Sequence, residues 1–241
     1  MTRARIGFIG SSAPSSPHHD SFRAFIPSDI DFSFVQEAGA GSSLWDARGK
    51  LDTLLQQSVQ LIEQHKWDGL IISGAPKEVL NPGMTARLAA ELPVPAATAL
   101  RSSVAALEVF AARRILLMTP VDDQLKRLYR DYLAEFDIDA IYPRQTLRTH
   151  TDAQRLTTED VAAMTRETFA AQSQIDAIYF QGALLDPLKA LDRLESELGV
   201  PIVASNPAML WVILSKVGLS YKIPGYGKLL ATWPALPAGV W

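Results

Sequence analysis

Few residues in this chain are of types that can do covalent or acid–base chemistry near neutral pH. Cysteine is absent from all 241 residues, which removes disulfides, thiolate metal ligands and thiol nucleophiles together. The four histidines are His18, His19, His65 and His150. No pair has helical ligand spacing beside a carboxylate, so no metal site is expected. No G-x-S-x-G elbow marks a serine nucleophile. What remains is a set of polar groups at the ends of apolar runs. Ser11 and Ser12 follow Arg5–Gly10, RIGFIG. Hydroxyls and backbone N–H groups at such a turn can hold an anion, and ordinary turn chemistry accounts for them as well. Lys77 and Glu78 lie just beyond Gly74; a desolvated lysine could work as a base, and an exposed ion pair is the plainer reading. Gln181, directly before Gly182, can orient a substrate but cannot titrate. Asn206 stands before a helix, where an asparagine caps orphan N–H groups and the helix start can receive a carboxylate. His18, His19 and Asp20 could supply an acid–base group, but in a turn-rich loop they read first as solvated. Tyr226 could close over a site or simply pack, and its flanking Gly225 and Gly227 lack the context of a phosphate loop. Trp45, Trp67, Trp211, Trp233 and Trp241 are candidates for core or interface.

The elements that position these groups are written twice. Asp68-Gly69-Leu70-Ile71-Ile72-Ser73-Gly74 leads to Arg87-Leu88…Glu91-Leu92 and then Pro93-Val94-Pro95. Asp176–Gly182, DAIYFQG, leads to Arg193-Leu194-Glu195-Ser196-Glu197-Leu198 and then Val200-Pro201. Each copy is Asp, apolar strand, glycine, helix, x-Val-Pro, second strand. Two βαβ units of nearly equal length predict two α/β halves with Gly74 and Gly182 at related strand ends, facing a central cleft. Ligands of open α/β sheets bind beyond the carboxyl ends of the strands.

Further strands are expected at Arg5–Gly10, Asp31–Glu37, Val94–Thr98, Arg114–Met118, Ile138–Tyr142 and Pro201–Ala204. Helices are expected from about Asp46 to His65, from about Pro82, and over Ser102–Ala111, Asp122–Phe136, Thr158–Gln172, Pro187–Leu198 and Pro207–Val217. Alternation at this spacing predicts parallel sheets flanked by helices, the α/β class. The halves are expected at 1–115 and 116–241, tightly packed and exchanging a segment that includes the C-terminal tail.

A hydrophobic content of 48% with 20% charged residues describes a chain with a sizeable core. A net charge of −3 gives no basic field for nucleic acid. No apolar run reaches the about 18 residues of a membrane span, and the start runs straight into a strand without a signal sequence. The expectation is a cytoplasmic protein with no nucleic-acid or membrane partner; a homo-oligomer is left open.

Ser205-Asn206-Pro207-Ala208-Met209-Leu210-Trp211, then Gly218 and Pro224-Gly225-Tyr226-Gly227-Lys228-Leu229, resemble the maleate isomerase and arylmalonate decarboxylase branch of the aspartate/glutamate racemase superfamily. The resemblance implies two pseudo-symmetric Rossmann-like halves with four-stranded parallel sheets. It implies no metal or organic cofactor, and a small carboxylic acid as ligand. It also implies acid–base cysteines at positions matching Gly74, or Ala75 with a one-residue shift, and Gly182. Neither thiol is present. Hydroxyls that usually follow the first cysteine are replaced by Ala75-Pro76, and the tyrosine of the decarboxylase pattern is missing from Thr119-Pro120-Val121-Asp122.

Substrate-binding positions are therefore expected at Ser11, Ser12, Gly74, Ala75, Gln181, Gly182, Ala183 and Asn206, with no residue assigned to proton transfer. The resemblance implies a cofactor-independent lyase or isomerase, decarboxylation ahead of racemization or cis–trans isomerization. A carboxylate-binding protein that has lost the reaction, or a diverged member with a different reaction, is the alternative. A thiol restored at Gly182 is expected to confer trace activity, provided that glycine has a negative φ.

Overall fold

A computed structural model describes residues 2–16, 19–143, 153, 155–182 and 188–239. Ala183, His18, His150, Trp241 and the expected helix start at Pro187 lie outside the described residues.

The chain divides into two compact units: Met1–Ser102 with Met209–Ser220 and Ala238–Trp241, and Ser103–Ala208 with Tyr221–Pro237. In the first unit, strands β1 (Ala4–Gly10), β2 (Ile30–Gln36), β3 (Gly69–Ile72) and β4 (Ala96–Thr98) form a sheet of order β2-β1-β3-β4. In the second, β5 (Arg114–Met118), β6 (Asp139–Ile141), β7 (Ala177–Phe180) and β8 (Ile202–Ala204) form a sheet of order β6-β5-β7-β8. Every pairing is parallel. The strands β3 and β7 are buried at every residue, which is why both read as unbroken apolar runs. All of β5 pairs within the second sheet.

Helices fill the connections: α1 (Asp20–Arg23), α2 (Leu51–His65), α3 (Ala75–Leu80), α4 (Met84–Glu91) and α5 (Ala99–Val109), then α6 (Asp123–Ala134), α7 (Thr158–Ala170), α8 (Leu191–Leu198), α9 (Ser205–Lys216) and α10 (Lys228–Thr232). Local chemistry sets their ends. The Asp122 carboxylate accepts from the N–H groups of Gln124 and Leu125 and starts α6; Thr157 and Asp160 form a capping box at α7. Leu51, Leu54, Leu55 and Ile62 of α2 are buried, and they join Ile9, Trp67, Leu70, Ile72 and Leu88 in the first unit's core. Each such side chain contributes roughly 1.5–3 kcal/mol.

Four elements differ from the sequence expectation, α1 and α10 among them as helices where none was expected. The helix expected from Asp46 is a 3-10 turn over Leu44–Ala47, separated from α2 by Gly49. The short helix α3 fills a stretch with no helix expected, its Pro76 placed in the first turn, where the missing N–H costs nothing.

Candidate active site

The duplicated aspartates are structural. The Asp68 carboxylate accepts the Arg5 N–H at 2.8 Å, and Asp68 N–H donates back to the Arg5 carbonyl at 2.7 Å. Asp176 does the same with Arg114, at 2.8 Å in both directions, and also accepts from Arg113 N–H at 2.9 Å. These hydrogen bonds hold the Asp176 carboxyl below its ordinary range, the Arg114 N–H contributing most. Each aspartate thus aligns the start of a strand with its neighbour. The opposite strand ends are left to carry polar groups.

In the first unit three adjacent strand ends converge on one ammonium. Lys77, in the first turn of α3 behind β3, donates to the Ser73 carbonyl at 2.6 Å, to Glu37 Oε2 at 3.0 Å and to Ser11 Oγ at 3.3 Å. Ser11 follows β1 and Glu37 follows β2. The order β2-β1-β3 is what brings residues so far apart in sequence together. The Lys77 and Glu37 side chains are 5% and 7% exposed. Burying two ions costs several kcal/mol each unless they are paired and their remaining hydrogen-bonding capacity is met. The three donors of the ammonium meet three acceptors. Ser11 is exposed, and Ser12 beside it is half-buried.

The neighbouring Glu78 faces elsewhere. Its carboxylate accepts the N–H of Leu100 at 2.5 Å and of Arg101 at 2.9 Å, so it supplies from α3 the anion that the start of α5 favours. Lys77 and Glu78 are both buried and do not pair with each other, which corrects the expectation of an exposed ion pair. Successive residues of a helix point in different directions. Asn81 then fixes α3, donating to the carbonyls of Lys77 and Ala47 and accepting from Gly49 N–H.

In the second unit the same rung carries different groups. Ser73 N–H donates to Ile9, and Gln181 N–H donates to Met118, each at 2.9 Å. The Thr119 hydroxyl donates to Gln181 Oε1 at 2.5 Å, both side chains buried, and the hydroxyls of Tyr179 and Ser205 lie 3.0 Å apart. Gly74 and Gly182 follow these rungs with φ of +104° and +94°. The negative φ that a thiol at Gly182 requires is therefore not met, and any side chain there starts strained. At Gly74 an added Cβ would also stand 3.0 Å from Lys77 Nζ.

The structure gathers Ser11, Ser12 and Gly74 at one sheet edge, with Ala75 fully buried behind Gly74. Gln181 and Gly182 occupy the matching edge of the other sheet. Asn206 is the second residue of α9, which starts at Ser205 directly after β8, so it is not the cap. His19 is not solvated: it is buried, its ring 4.6 Å from that of Phe34 and 5.5 Å from that of Phe8, within an aromatic cluster over β1 and β2. Among the described residues no group of three or more histidines or carboxylates is placed to hold a metal ion. None of the described helices is long and apolar enough to cross a membrane. The tail motif is held to α8: Asp192 accepts from Gly227 N–H at 2.6 Å, and Glu195 from Lys228 N–H at 2.7 Å.

Two four-stranded parallel sheets with one order, polar groups at their carboxyl edges and positive-φ glycines after β3 and β7 define the class: an α/β protein with a doubled, open parallel sheet. Residues 77–230 match the arylmalonate decarboxylase family, more than half of the chain. The chain belongs to that family. An arylmalonate decarboxylase of Bordetella bronchiseptica is 28% identical over 151 residues, 62% of this chain and 63% of that protein, so the chain spans less than two thirds of that relative. The structure of an unliganded arylmalonate decarboxylase is similar with a TM-score of 0.77 and 23% identity, covering 95% of this chain and 99% of that one. A Nocardia farcinica maleate cis–trans isomerase, solved with a covalently bound succinylcysteine intermediate, has a TM-score of 0.70 at 20% identity, covering 95% and 98%. At these identities the two solved structures bear on the fold alone.

Proposed function

We propose that the chain is a cofactor-independent lyase that removes CO₂ from a malonate-type dicarboxylic acid without a cysteine. The observation that carries this reading is family membership in a chain with no thiol. The Nocardia relative was captured with its intermediate on a cysteine, and a sulfur adduct of that kind cannot form here. Loss of a carboxylate makes a smaller demand. The bond between the α-carbon and one carboxylate breaks, CO₂ leaves, and the electron pair stays on the enolate of the remaining carboxylate until a proton reaches the α-carbon. Positioned donors that meet the developing charge supply most of such a barrier reduction. The carboxyl edge of the first unit's sheet offers them at Ser11, Ser12 and the backbone of Gly74 and Ala75.

Phenylmalonate, alkylmalonates and maleate incubated with the protein in D₂O and followed by NMR test the reading. The expected outcome is a singly deuterated acid from a malonate and no fumarate from maleate. Fumarate formation, or no malonate turnover at high protein concentration, overturns it. One observation favours the alternative of a binding protein: every Lys77 donor is already engaged. Thermal stabilisation by malonates without turnover would select that alternative.

A further inference from the structure

Resting on the decarboxylase reading, the geometry points to Ser11 as the catalytic residue that protonates the α-carbon, recharged by Lys77 behind it; we propose this relay in place of a thiol. Of the three acceptors on the Lys77 ammonium, the Ser73 carbonyl carries no proton and the Glu37 carboxylate is buried. Ser11 Oγ is the third, and Ser11 is exposed. Among the described contacts, a proton can pass from this buried cation to a ligand only through that hydroxyl. Because Lys77 donates to Ser11 Oγ, the hydroxyl's own hydrogen turns away from the ammonium. Ser11 follows the central strand of the three whose ends converge here, so its hydroxyl lies at the edge where a ligand of an open sheet binds.

The step balances. The α-carbon of the enolate takes the Ser11 hydroxyl proton, and Ser11 Oγ takes one from Lys77 Nζ in the same event. The lysine, left as a neutral amine against Glu37, recovers a proton from water. Glu37 and the Ser73 carbonyl act through Lys77 by fixing its nitrogen; they are positioning groups. In the relay this lysine gives a proton, whereas the lysine of a serine–lysine nucleophile takes one.

The test uses α-methyl-α-phenylmalonate, a prochiral substrate whose product records the face of protonation. Ser11→Ala, at an exposed turn, and the double variant Lys77→Met/Glu37→Gln, which removes both buried charges together, are compared with the parent for rate and enantiomeric excess. General acid catalysis is worth about 100-fold or more, so both variants are expected to lose about 100-fold in kcat and to give nearly racemic product with an unchanged circular dichroism spectrum. Loss of rate with the parental excess intact overturns the relay and makes Ser11 a carboxylate-holding group. So does racemic product from the parent, parental rate and excess in Ser11→Ala, or parental excess in the double variant. A parent that turns over no malonate overturns the decarboxylase reading itself, an outcome distinct from each of these.

Discussion

Alanine at Gly74 and at Gly182 poses one question in two surroundings. Both glycines follow equivalent strand rungs, with φ of +104° and +94°, beyond the small left-handed basin open to other residues. A Cβ at either should cost roughly 1–3 kcal/mol in backbone strain. At Gly182 no described atom lies within 4 Å of that Cβ, so among the described residues backbone strain is the only cost. At Gly74 the Cβ meets Lys77 Nζ at 3.0 Å, closer than ordinary contact. The nitrogen has little room to retreat, since its bonds to Ser73 and Glu37 are 2.6 and 3.0 Å long. Weakening a hydrogen bond to a charged group, worth about 1.5–3 kcal/mol when intact, should add about 1–2 kcal/mol. Gly74→Ala is therefore expected to be the more damaging by that margin. Urea unfolding, read as a change in midpoint at constant m-value, measures both. In a Lys77→Met/Glu37→Gln background the excess at Gly74 should vanish. Equal costs at the two glycines, or an excess that survives in that background, would refute the reasoning. The same strain bears on any attempt to restore a thiol at Gly182.

Two further outcomes are expected. Lys77→Met or Glu37→Gln alone should destabilise by about 3–5 kcal/mol by stranding a buried charge, and the double variant by much less than the sum; additivity in the double-mutant cycle would contradict the buried pair. Lys216 donates to the Ala96 carbonyl at 3.0 Å, and burial, aided by the Arg101 charge, lowers its pKa from 10.5 to about 8. The unfolded lysine keeps its proton up to about 10.5 and the folded one releases it near 8, so stability should rise across that window and sit at its lower level below pH 8. Denaturation at pH 7 to 10.5 should show the rise, and Lys216→Met should flatten it; an equal rise in that variant would dismiss Lys216 as its source.

The doubled fold was open to reading because strands buried on both faces leave apolar runs bounded by glycine and proline. The aspartates before β3 and β7 were visible as a repeat, but their purpose depends on register: Asp68 meets Arg5 and Asp176 meets Arg114, each at the start of a neighbouring strand. Arg5-Ile6 and Arg114-Ile115 open β1 and β5 alike, a signal of that pairing within reach of the sequence. The partnership of Lys77 with Glu37 was hidden because only the placement of β1 between β2 and β3 brings them together. The sequence favours pairing Lys77 with its neighbour Glu78, and it takes the unexpected helix α3 to turn them apart, since adjacent helical residues diverge. His19 was misread because its loop is rich in turn formers, while its surroundings, Phe8 and Phe34, come from strands before and after it. The positive φ of Gly74 and Gly182 was available from glycine's preference for such turns.

Helix α9 starts with the second unit, and from Met209 onward it is counted with the first. On the ribosome this imposes a delay. Residues up to Ser102 emerge early, but Ile213, which packs beside Gly69 on β3, and Lys216, which holds the Ala96 carbonyl, arrive roughly a hundred residues later. At about 5–20 residues per second the first unit waits several seconds with one flank of its sheet uncovered. Chains released before Met209 should be the aggregating species in expression, since a segment made after most of the second unit is needed to complete the first.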